Sequence, residues 1–250
     1  MTADEVKSRR ARFRSLHSAG CFVLPNPWDT GSAIRLKQRG FEALASSSAA
    51  AAWALGKDDG ELTLDEAITH LTMLCAATDL PVNADFENGF ADEPNDVAAN
   101  VTQAIRTGIA GLSIEDRPQR TSVLYPFDDA IARVAAARAA IDSSGTDVML
   151  VARTESYLVG HTEFEGAMQR LEGLADAGAD VLFAPGMRDI SEIAECVRRL
   201  APRPVNVLQM SPSMTVAALA GVGVRRVSTG GALAKAAWAA FDEAAADLRA

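Results

Sequence analysis

The chain has 250 residues, 48% of them hydrophobic, which is enough apolar material for one large barrel or two small domains. A formal net charge of −9, a pI near 4.9 and basic residues that cluster only in pairs argue against a nucleic-acid partner. The sequence has no apolar leader and no apolar stretch of about 18 residues, so we expect a cytoplasmic protein without a membrane partner.

Eight short runs rich in Val, Ile and Leu recur along the chain, and a segment with apolar residues at helical spacing follows each run. The predicted strands lie at residues 21–26, 41–47, 81–85, 111–116, 147–153, 180–185, 204–209 and 225–230. Helices are predicted before the first strand, at residues 3–18, and after the last strand, at residues 231–249. Eight alternating strand-helix units predict an α/β fold of the closed (β/α)8 barrel type. No linker divides residues 1–250, so we expect a single domain.

Polar side chains follow several predicted strands at the point where each strand ends. The polar residues after strands two to five are Ser46, Ser47, Ser48, Asp58, Asp59, Asp85, Glu87, Glu115, Asp116, Arg153 and Glu155. In a (β/α)8 barrel the loops after the carboxyl ends of the strands build the active site. We therefore expect these side chains to meet at one mouth of the barrel.

Several carboxylates at one mouth predict a divalent metal. Crowded carboxylates repel one another unless they are protonated or bridged by a cation. Hard oxygen ligands with no His among them suit Mg2+ or Mn2+ better than zinc. For each acidic residue alone, a solvated loop position or a helix cap remains the alternative, and Arg153 would equally serve in an ion pair at the barrel mouth.

Four segments on strands two to five carry a family resemblance. In chain order, "SSSAAAAWALGKDDGELT", "VNADFENGF", "GLSIED" and "MLVARTE" resemble the isocitrate lyase and phosphoenolpyruvate mutase superfamily, and "GADVLFAPG" and "PVNV" extend the resemblance to nearly the whole chain. The resemblance implies a Mg2+-dependent enzyme that acts on a small 2-oxo or 2-hydroxy carboxylic acid through a pyruvate-type enolate. It also implies a homo-oligomer, a dimer or tetramer, in which the last helix is exchanged between neighbours.

The same resemblance implies a metal-binding group and a substrate-binding group. Asp85 would bind the metal directly, Asp59 and Glu115 would hold metal-bound waters, and Glu87 would supplement them. For the substrate, the implied residues are Ser46, Ser47 and Ser48 through their backbone N–H groups, Arg153 through its charge, and Asn206 as a polar position of the pocket.

The chain departs from the family pattern in four places. The lyases carry a loop of Lys-Lys-Cys-Gly-His type after strand four, whereas "RPQRTSVLYPFDD" has neither Cys nor His. The usual Asp-Ala-Asp of strand three reads Asn83-Ala84-Asp85, and Pro185-Gly186 replaces the Glu common after strand six. The mutases' gating loop with its Asn is not evident. The segments "FAPG" and "ADFENG" look most like the oxaloacetate decarboxylase and carboxyphosphoenolpyruvate mutase subgroup.

Three functions follow as hypotheses: decarboxylation or lyase chemistry on an oxaloacetate-like dicarboxylate, a phosphonomutase reaction, and binding of an oxo acid without turnover. Tyr157 is a candidate proton donor because it lies near the end of strand five. The Gly-rich stretch "STGGALAKAA" would either bind a phosphate or simply start a helix. The three Cys and three His residues are interpreted as packing or surface residues.

Overall fold

Eight parallel strands form a nearly closed barrel, so the predicted (β/α)8 fold and all eight predicted strands are confirmed. The structure is a computed structural model that describes residues 1–161 and 163–248. The strands are β1 (Phe22–Leu24), β2 (Leu44–Ala45), β3 (Val82–Asp85), β4 (Gly111–Glu115), β5 (Met149–Arg153), β6 (Val181–Phe183), β7 (Val205–Leu208) and β8 (Arg226–Ser228). They pair in the order β1-β8-β7-β6-β5-β4-β3-β2. Between β1 and β2, Ala45 N donates to Pro25 O at 3.1 Å.

Ten helices alternate with the strands among the described residues. They are α1 (Ala3–Leu16), α2 (Thr30–Gln38), α3 (Ser48–Ala54), α4 (Leu64–Ala77), α5 (Pro94–Arg106), α6 (Phe127–Ser143), α7 (Phe164–Asp176), α8 (Ile190–Leu200), α9 (Val216–Gly221) and α10 (Ala232–Asp247). The helices predicted at both ends of the chain are confirmed, although residue 249 of the last one lies outside the described residues. Thr2 and Thr63 start α1 and α4 with capping boxes, which satisfy backbone donors that have no partner within the helix.

Apolar side chains pack in two places, outside and inside the barrel. The larger core lies between the outer faces of the strands and the surrounding helices. The smaller core lies inside the barrel, where Phe13 of α1 packs with Phe22 and Met149. Gly111 opens β4 at this level because a Cβ there would lie 2.8 Å from the Phe13 ring and 2.8 Å from Asn83 Oδ1. Above this apolar layer the interior of the barrel is polar.

The last helix, α10, leaves most of its apolar side chains exposed. Ala234 is the one residue of α10 that is buried within the described chain, whereas Trp238 is 40% and Phe241 is 62% exposed. The rings of Trp238 and Phe241 pack edge to face with their centroids 6.0 Å apart. Across residues 1–161 and 163–248, none of the helices combines the length and apolar character needed to cross a membrane.

Candidate active site

A cavity of about 200 Å³ opens at the carboxyl ends of the strands. The nine residues that the family resemblance implies for the metal or the substrate line it: Ser46, Ser47, Ser48, Asp59, Asp85, Glu87, Glu115, Arg153 and Asn206. Parallel strands bring these residues together because their carboxyl ends share one edge of the sheet. The cavity wall also includes several residues for which no role was predicted, namely Asn26, Arg117, Gln119, Arg120 and Arg226.

Asp85, the last residue of β3, is held by the serines that follow β2. Its Oδ2 atom accepts hydrogen bonds from Ser48 N and Ser48 Oγ, both at 2.9 Å. Its own N–H donates to Ser46 Oγ at 2.7 Å. Because Ser48 is the first residue of α3, the carboxylate also lies at the positive end of a helix. Asp85 is thus fixed in orientation at the cavity wall.

Arg153, the last residue of β5, lies among three carboxylates. Its Nη1 atom is 3.4 Å from Asp85 Oδ1, its Nε atom is 3.5 Å from Glu115 Oε2, and Nε also donates to Glu155. Burial alone would lower the pKa of Arg153, but Glu155, Glu115 and Asp85 together raise that pKa well above its ordinary value. The guanidinium therefore stays charged inside the cavity wall.

Arg117 adds a second positive charge to this group. Its guanidinium lies 3.5 Å from Glu115 Oε1 and 3.3 Å from Glu155 Oε2. Arg117 and Arg153 correct the expectation that a bound cation is needed to offset the repulsion among the carboxylates. These two side chains already neutralise part of the negative charge of the acidic cluster. Burial still dominates at Glu115 and raises its pKa well above the ordinary value, even though Arg153 opposes the shift.

Asp59 and Glu87 face the cavity without a basic partner within 4.0 Å in the described part of the chain. Burial raises the pKa of Asp59, and the nearby Asp85 raises it further. Burial raises the pKa of Glu87 to about 7, although a hydrogen bond from Gln119 to its Oε2 atom opposes the shift. The other oxygen, Glu87 Oε1, is buried and accepts no hydrogen bond from a described residue.

Backbone strain helps to aim Glu87 into the cavity. Glu87 has a φ of 46°, in the left-handed region that costs a residue with a Cβ about 1–3 kcal/mol. A tight turn follows β3, in which Gly89 N donates to Phe86 O at 2.8 Å. The turn holds Glu87 against Gln119 of the loop that follows β4.

The donor set fits a hard divalent cation that keeps part of its water shell. Within the two described ranges, no three acidic, His or Cys side chains lie close enough together to hold an ion by themselves. Mg2+ usually binds through one or two carboxylates and retains several waters, so a complete protein cage is not required. The orphaned Glu87 Oε1 and the unpaired Asp59 are oxygen donors available for such waters.

The backbone N–H groups of Ser46, Ser47 and Ser48 are not all available to a substrate, contrary to the expectation from the sequence. Ser46 N already donates to Asn83 O at 2.9 Å, and Ser48 N is committed to Asp85. These two N–H groups are therefore occupied by the protein. Ser47 is the N-cap of α3, and its hydroxyl accepts from Ala50 N at 3.3 Å. The amide of Ser47 remains the serine N–H that a substrate carboxylate would meet.

Asn206 lies on the cavity floor and holds an arginine that sequence reasoning missed. Asn206 Oδ1 accepts from Arg226 Nε at 2.8 Å, and Asn206 Nδ2 donates to Ser228 Oγ at 3.0 Å. In the sequence, Arg226 stands out only as half of the basic pair Arg225-Arg226. Its spacing of two from Ser228 on a strand was the available signal, because residues i and i+2 face the same side.

Several other expectations are settled by position. Tyr157 donates to Glu192 Oε2 at 3.1 Å and does not line the cavity, so the proposal that it protonates the substrate is wrong. Asp58 does not line the cavity either. Asp116 accepts hydrogen bonds from Thr154 and Arg170, at 2.7 and 3.1 Å, behind the cavity wall. It therefore has a structural role.

The Gly-rich segment after β8 starts a helix and has its leading amides occupied. Thr229 N and Gly230 N both donate to Asn26 Oδ1, at 3.0 and 2.9 Å. No Cys or His side chain is among the residues that line the cavity in the described chain. His17, at the end of α1, is buried between the rings of Phe13 and Phe22.

Comparison with known proteins agrees with this geometry. Residues 13–249 match the family model described as phosphoenolpyruvate phosphomutase. A crystal structure of a protein from Burkholderia cenocepacia J2315 is 42% identical, with a TM-score of 0.94 over 98% of this chain and 90% of that one. Oxaloacetate acetylhydrolase in complex with oxalate is 28% identical, with a TM-score of 0.89 over 98% of this chain and 87% of that one. The oxaloacetate decarboxylase of Chromohalobacter salexigens is 30% identical over 92% of this chain and 82% of its own.

The match of the family model covers most of the chain, and the decarboxylase relative is aligned over most of its length. The arrangement of the carboxylates and Arg153 at the carboxyl ends of the strands follows the family resemblance derived from the motifs. The chain belongs to the phosphoenolpyruvate phosphomutase family, within the isocitrate lyase and phosphoenolpyruvate mutase superfamily.

Proposed function

We propose that the protein is a Mg2+-dependent carbon-carbon lyase that decarboxylates oxaloacetate or a close 2-oxo dicarboxylate through a pyruvate enolate. The observation that carries the proposal is the position of Arg153, a partly buried cation at the cavity wall between Asp85 and Glu115. A fixed positive charge at this place stabilises negative charge that develops on a bound oxo acid.

The residues that would hold the metal are Asp85 directly and Asp59, Glu87 and Glu115 through water. When bound, Mg2+ polarises the 2-oxo group of the substrate and stabilises the charge that develops there. Ser48 keeps the Asp85 carboxylate oriented through its N–H and its hydroxyl. Arg153 supplies a permanent cation beside the oxygen that gains charge, and the closed floor of the barrel excludes bulk water from this side.

Decarboxylation suits a cavity of this composition because it requires no protein nucleophile. Cleavage by the family's lyases uses a Cys in the loop after strand four, whereas here that loop contributes Arg117, Gln119 and Arg120 to the described cavity wall. Relatives named oxaloacetate decarboxylase support this assignment.

A phosphonomutase is the second candidate. Four arginines line the cavity, and guanidinium groups bind phosphonyl oxygens as well as carboxylates. A phosphoenolpyruvate phosphomutase from Streptomyces platensis subsp. rosaceus shares the fold at a TM-score of 0.85 and 25% identity. Binding of an oxo acid without turnover is the third candidate, and the retained charged residues argue against it.

The test compares oxaloacetate with phosphonopyruvate. Pyruvate release from oxaloacetate is measured with protein and Mg2+ and corrected for the rate with free Mg2+ alone. Conversion of phosphonopyruvate is followed in parallel under the same conditions. We expect faster turnover of oxaloacetate. If phosphonopyruvate is converted well and oxaloacetate reacts no faster than the metal blank, the protein is a mutase. If neither reacts while both bind, the protein is a binding protein.

A further inference from the structure

Arg226 differs from the other arginines of the cavity. Four arginines line the cavity, and three of them have a carboxylate within 4.0 Å: Arg117, Arg120 and Arg153. Arg226 has none among residues 1–161 and 163–248, although it is only 3% exposed. Burial by itself lowers the pKa of Arg226 to about 9, and no acidic group offsets that effect.

Two neutral amides hold the Arg226 side chain in place. Arg226 Nε donates to Asn206 Oδ1 at 2.8 Å, and Nη1 donates to Asn83 Oδ1 at 3.4 Å across the barrel. Both amides are themselves anchored, since Asn206 Nδ2 donates to Ser228 Oγ and Asn83 Nδ2 donates to Ala84 O, each at 3.0 Å. The guanidinium is thus fixed in direction at the floor of the cavity. Its Nη2 atom makes no hydrogen bond within the described chain.

Burying an arginine without a counter-ion is costly. Amide oxygens satisfy some of its donors, but they do not neutralise its charge. Asn83 stands at the first acidic position of the family's Asp-Ala-Asp motif, so in this chain an amide and not a carboxylate faces Arg226. An anionic group in the cavity would supply the missing charge and accept the hydrogen bond from Nη2.

We propose that Arg226 binds one carboxylate group of the substrate, the carboxylate that remains in the product. The inference rests on the proposed function for the identity of the cavity as the substrate site. A guanidinium that holds a carboxylate stabilises the reactant form of that group, so it opposes loss of the same group as CO2. The carboxylate next to the 2-oxo carbon is the one that stays, and it is the group assigned to Arg226. Asn83 and Asn206 are positioning residues for Arg226.

The test measures binding of pyruvate and oxalate by titration calorimetry, with Mg2+ and again with EDTA. Pyruvate carries the retained carboxylate alone. Two variants remove the free cation: Arg226→Gln, and Asn83→Asp, which is nearly isosteric and places a carboxylate against Arg226. Both variants are expected to bind pyruvate about 10- to 100-fold more weakly, as expected for loss of a hydrogen bond between charged groups. The matched control is Arg10→Gln, because Arg10 is also buried and donates only to carbonyl groups, those of Ile105 and Ile109, away from the cavity.

A crystal structure of the wild-type protein with oxalate tests the same inference without a variant. A carboxylate oxygen within about 3 Å of Arg226 Nη2 is expected. The inference is wrong if both variants bind pyruvate like the wild type, or if the wild type binds neither anion at millimolar concentration. It is also wrong if methylphosphonate, titrated in the same way, binds in an Arg226-dependent manner and pyruvate does not. Arg226-dependent binding of pyruvate without oxaloacetate turnover would reject the proposed function and leave this inference standing. Turnover of oxaloacetate by the wild type, together with unaltered pyruvate binding by both variants, would reject this inference and leave the proposed function standing.

Discussion

Arg153 and His17 show how charged neighbours decide the outcome of burial, which by itself lowers the pKa of both side chains. Arg153 lies next to three carboxylates, which keep it charged despite its burial. Burial, together with the positive charges of Arg226 and Arg14, lowers the pKa of His17 to about 3, with no acidic group of the described residues opposing the shift. The charged neighbours of each residue therefore decide whether it serves as a cation or as a neutral packing group.

Replacing Arg153 by Ala should lower turnover of oxaloacetate by about 100-fold or more, because a single preorganised charge-stabilising donor contributes about that much. The readout is kcat, measured beside KM. Arg138→Ala is the control, since Arg138 is also partly buried in ion pairs, with Asp142 and Asp180, but does not line the cavity. An Arg153→Ala protein with wild-type kcat would remove Arg153 from the mechanism.

Because the pKa of His17 is lowered in the folded protein, we expect the protein to lose stability in mild acid. The unfolded chain takes up the His17 proton near pH 6.5 and the folded chain only near pH 3, so the unfolded state binds more protons between these values. The free energy of unfolding should therefore fall by about 2 kcal/mol between pH 7.5 and pH 5 from this group alone. Urea unfolding of the wild type and of His17→Gln at both pH values measures the difference. Parallel pH profiles of the two proteins would contradict the prediction.

At the scale of the elements, β4 begins with a glycine for a steric reason. A Cβ at Gly111 would lie 2.8 Å from both the Phe13 ring and Asn83 Oδ1, and 3.2 Å from Met149 O. The first two atoms belong to the helix that closes the barrel floor and to the amide that holds Arg226. Packing of α1 and geometry of the cavity floor thus depend on the same position.

Gly111→Ala should destabilise the fold by about 1–3 kcal/mol, because overpacking forces the backbone or its neighbours to move. The matched control is Gly166→Ala in α7, where the added Cβ would lie within 4 Å of no atom of the described residues. This change should stabilise the protein by about 0.5–1 kcal/mol. Thermal unfolding of both variants measures the two effects. A Gly111→Ala protein as stable as the wild type would show that the floor of the barrel is loosely packed.

The elements also show how far a sequence predicts this site. Short apolar runs predicted the strands, and the nine residues implied for metal or substrate reach the cavity because parallel strands share an edge. Whether the backbone N–H groups of Ser46 and Ser48 are free for a substrate depends on small differences in distance between neighbouring strands. Both groups are used by hydrogen bonds within the protein. The reach of Arg226 to Asn83, from β8 to β3, likewise follows from barrel closure and is not visible in local patterns.

At the scale of the whole molecule, α10 is the element with the least burial of its apolar residues. Trp238 and Phe241 remain exposed, while Lys235 lies 5.2 Å from the ring of Trp53 on the barrel. An exposed apolar helix face favours self-association. Exchange of the last helix between neighbouring chains, a dimer or tetramer, and a single domain for the whole chain stay predictions.

Light scattering should give a mass at least twice the 26.3 kDa of one chain. Phe241→Glu should reduce that mass, because a charge on the exposed face of α10 opposes burial against a second chain. Ile190→Glu is the control, since Ile190 is 45% exposed at the start of α8 and lies away from α10. A wild-type protein that is monomeric at micromolar concentration would contradict the prediction.

The central claim is that the carboxylates at the mouth of the barrel form a divalent-metal site built on Asp85. Calorimetric titration of Mn2+ into metal-stripped protein measures this most directly, with the wild type, Asp85→Ala and Glu87→Gln compared. We expect binding by the wild type, weaker binding by Glu87→Gln, and no detectable binding by Asp85→Ala, because only Asp85 is placed as a direct ligand. Equal Mn2+ affinity of Asp85→Ala and the wild type, with the variant folded by circular dichroism, would contradict it.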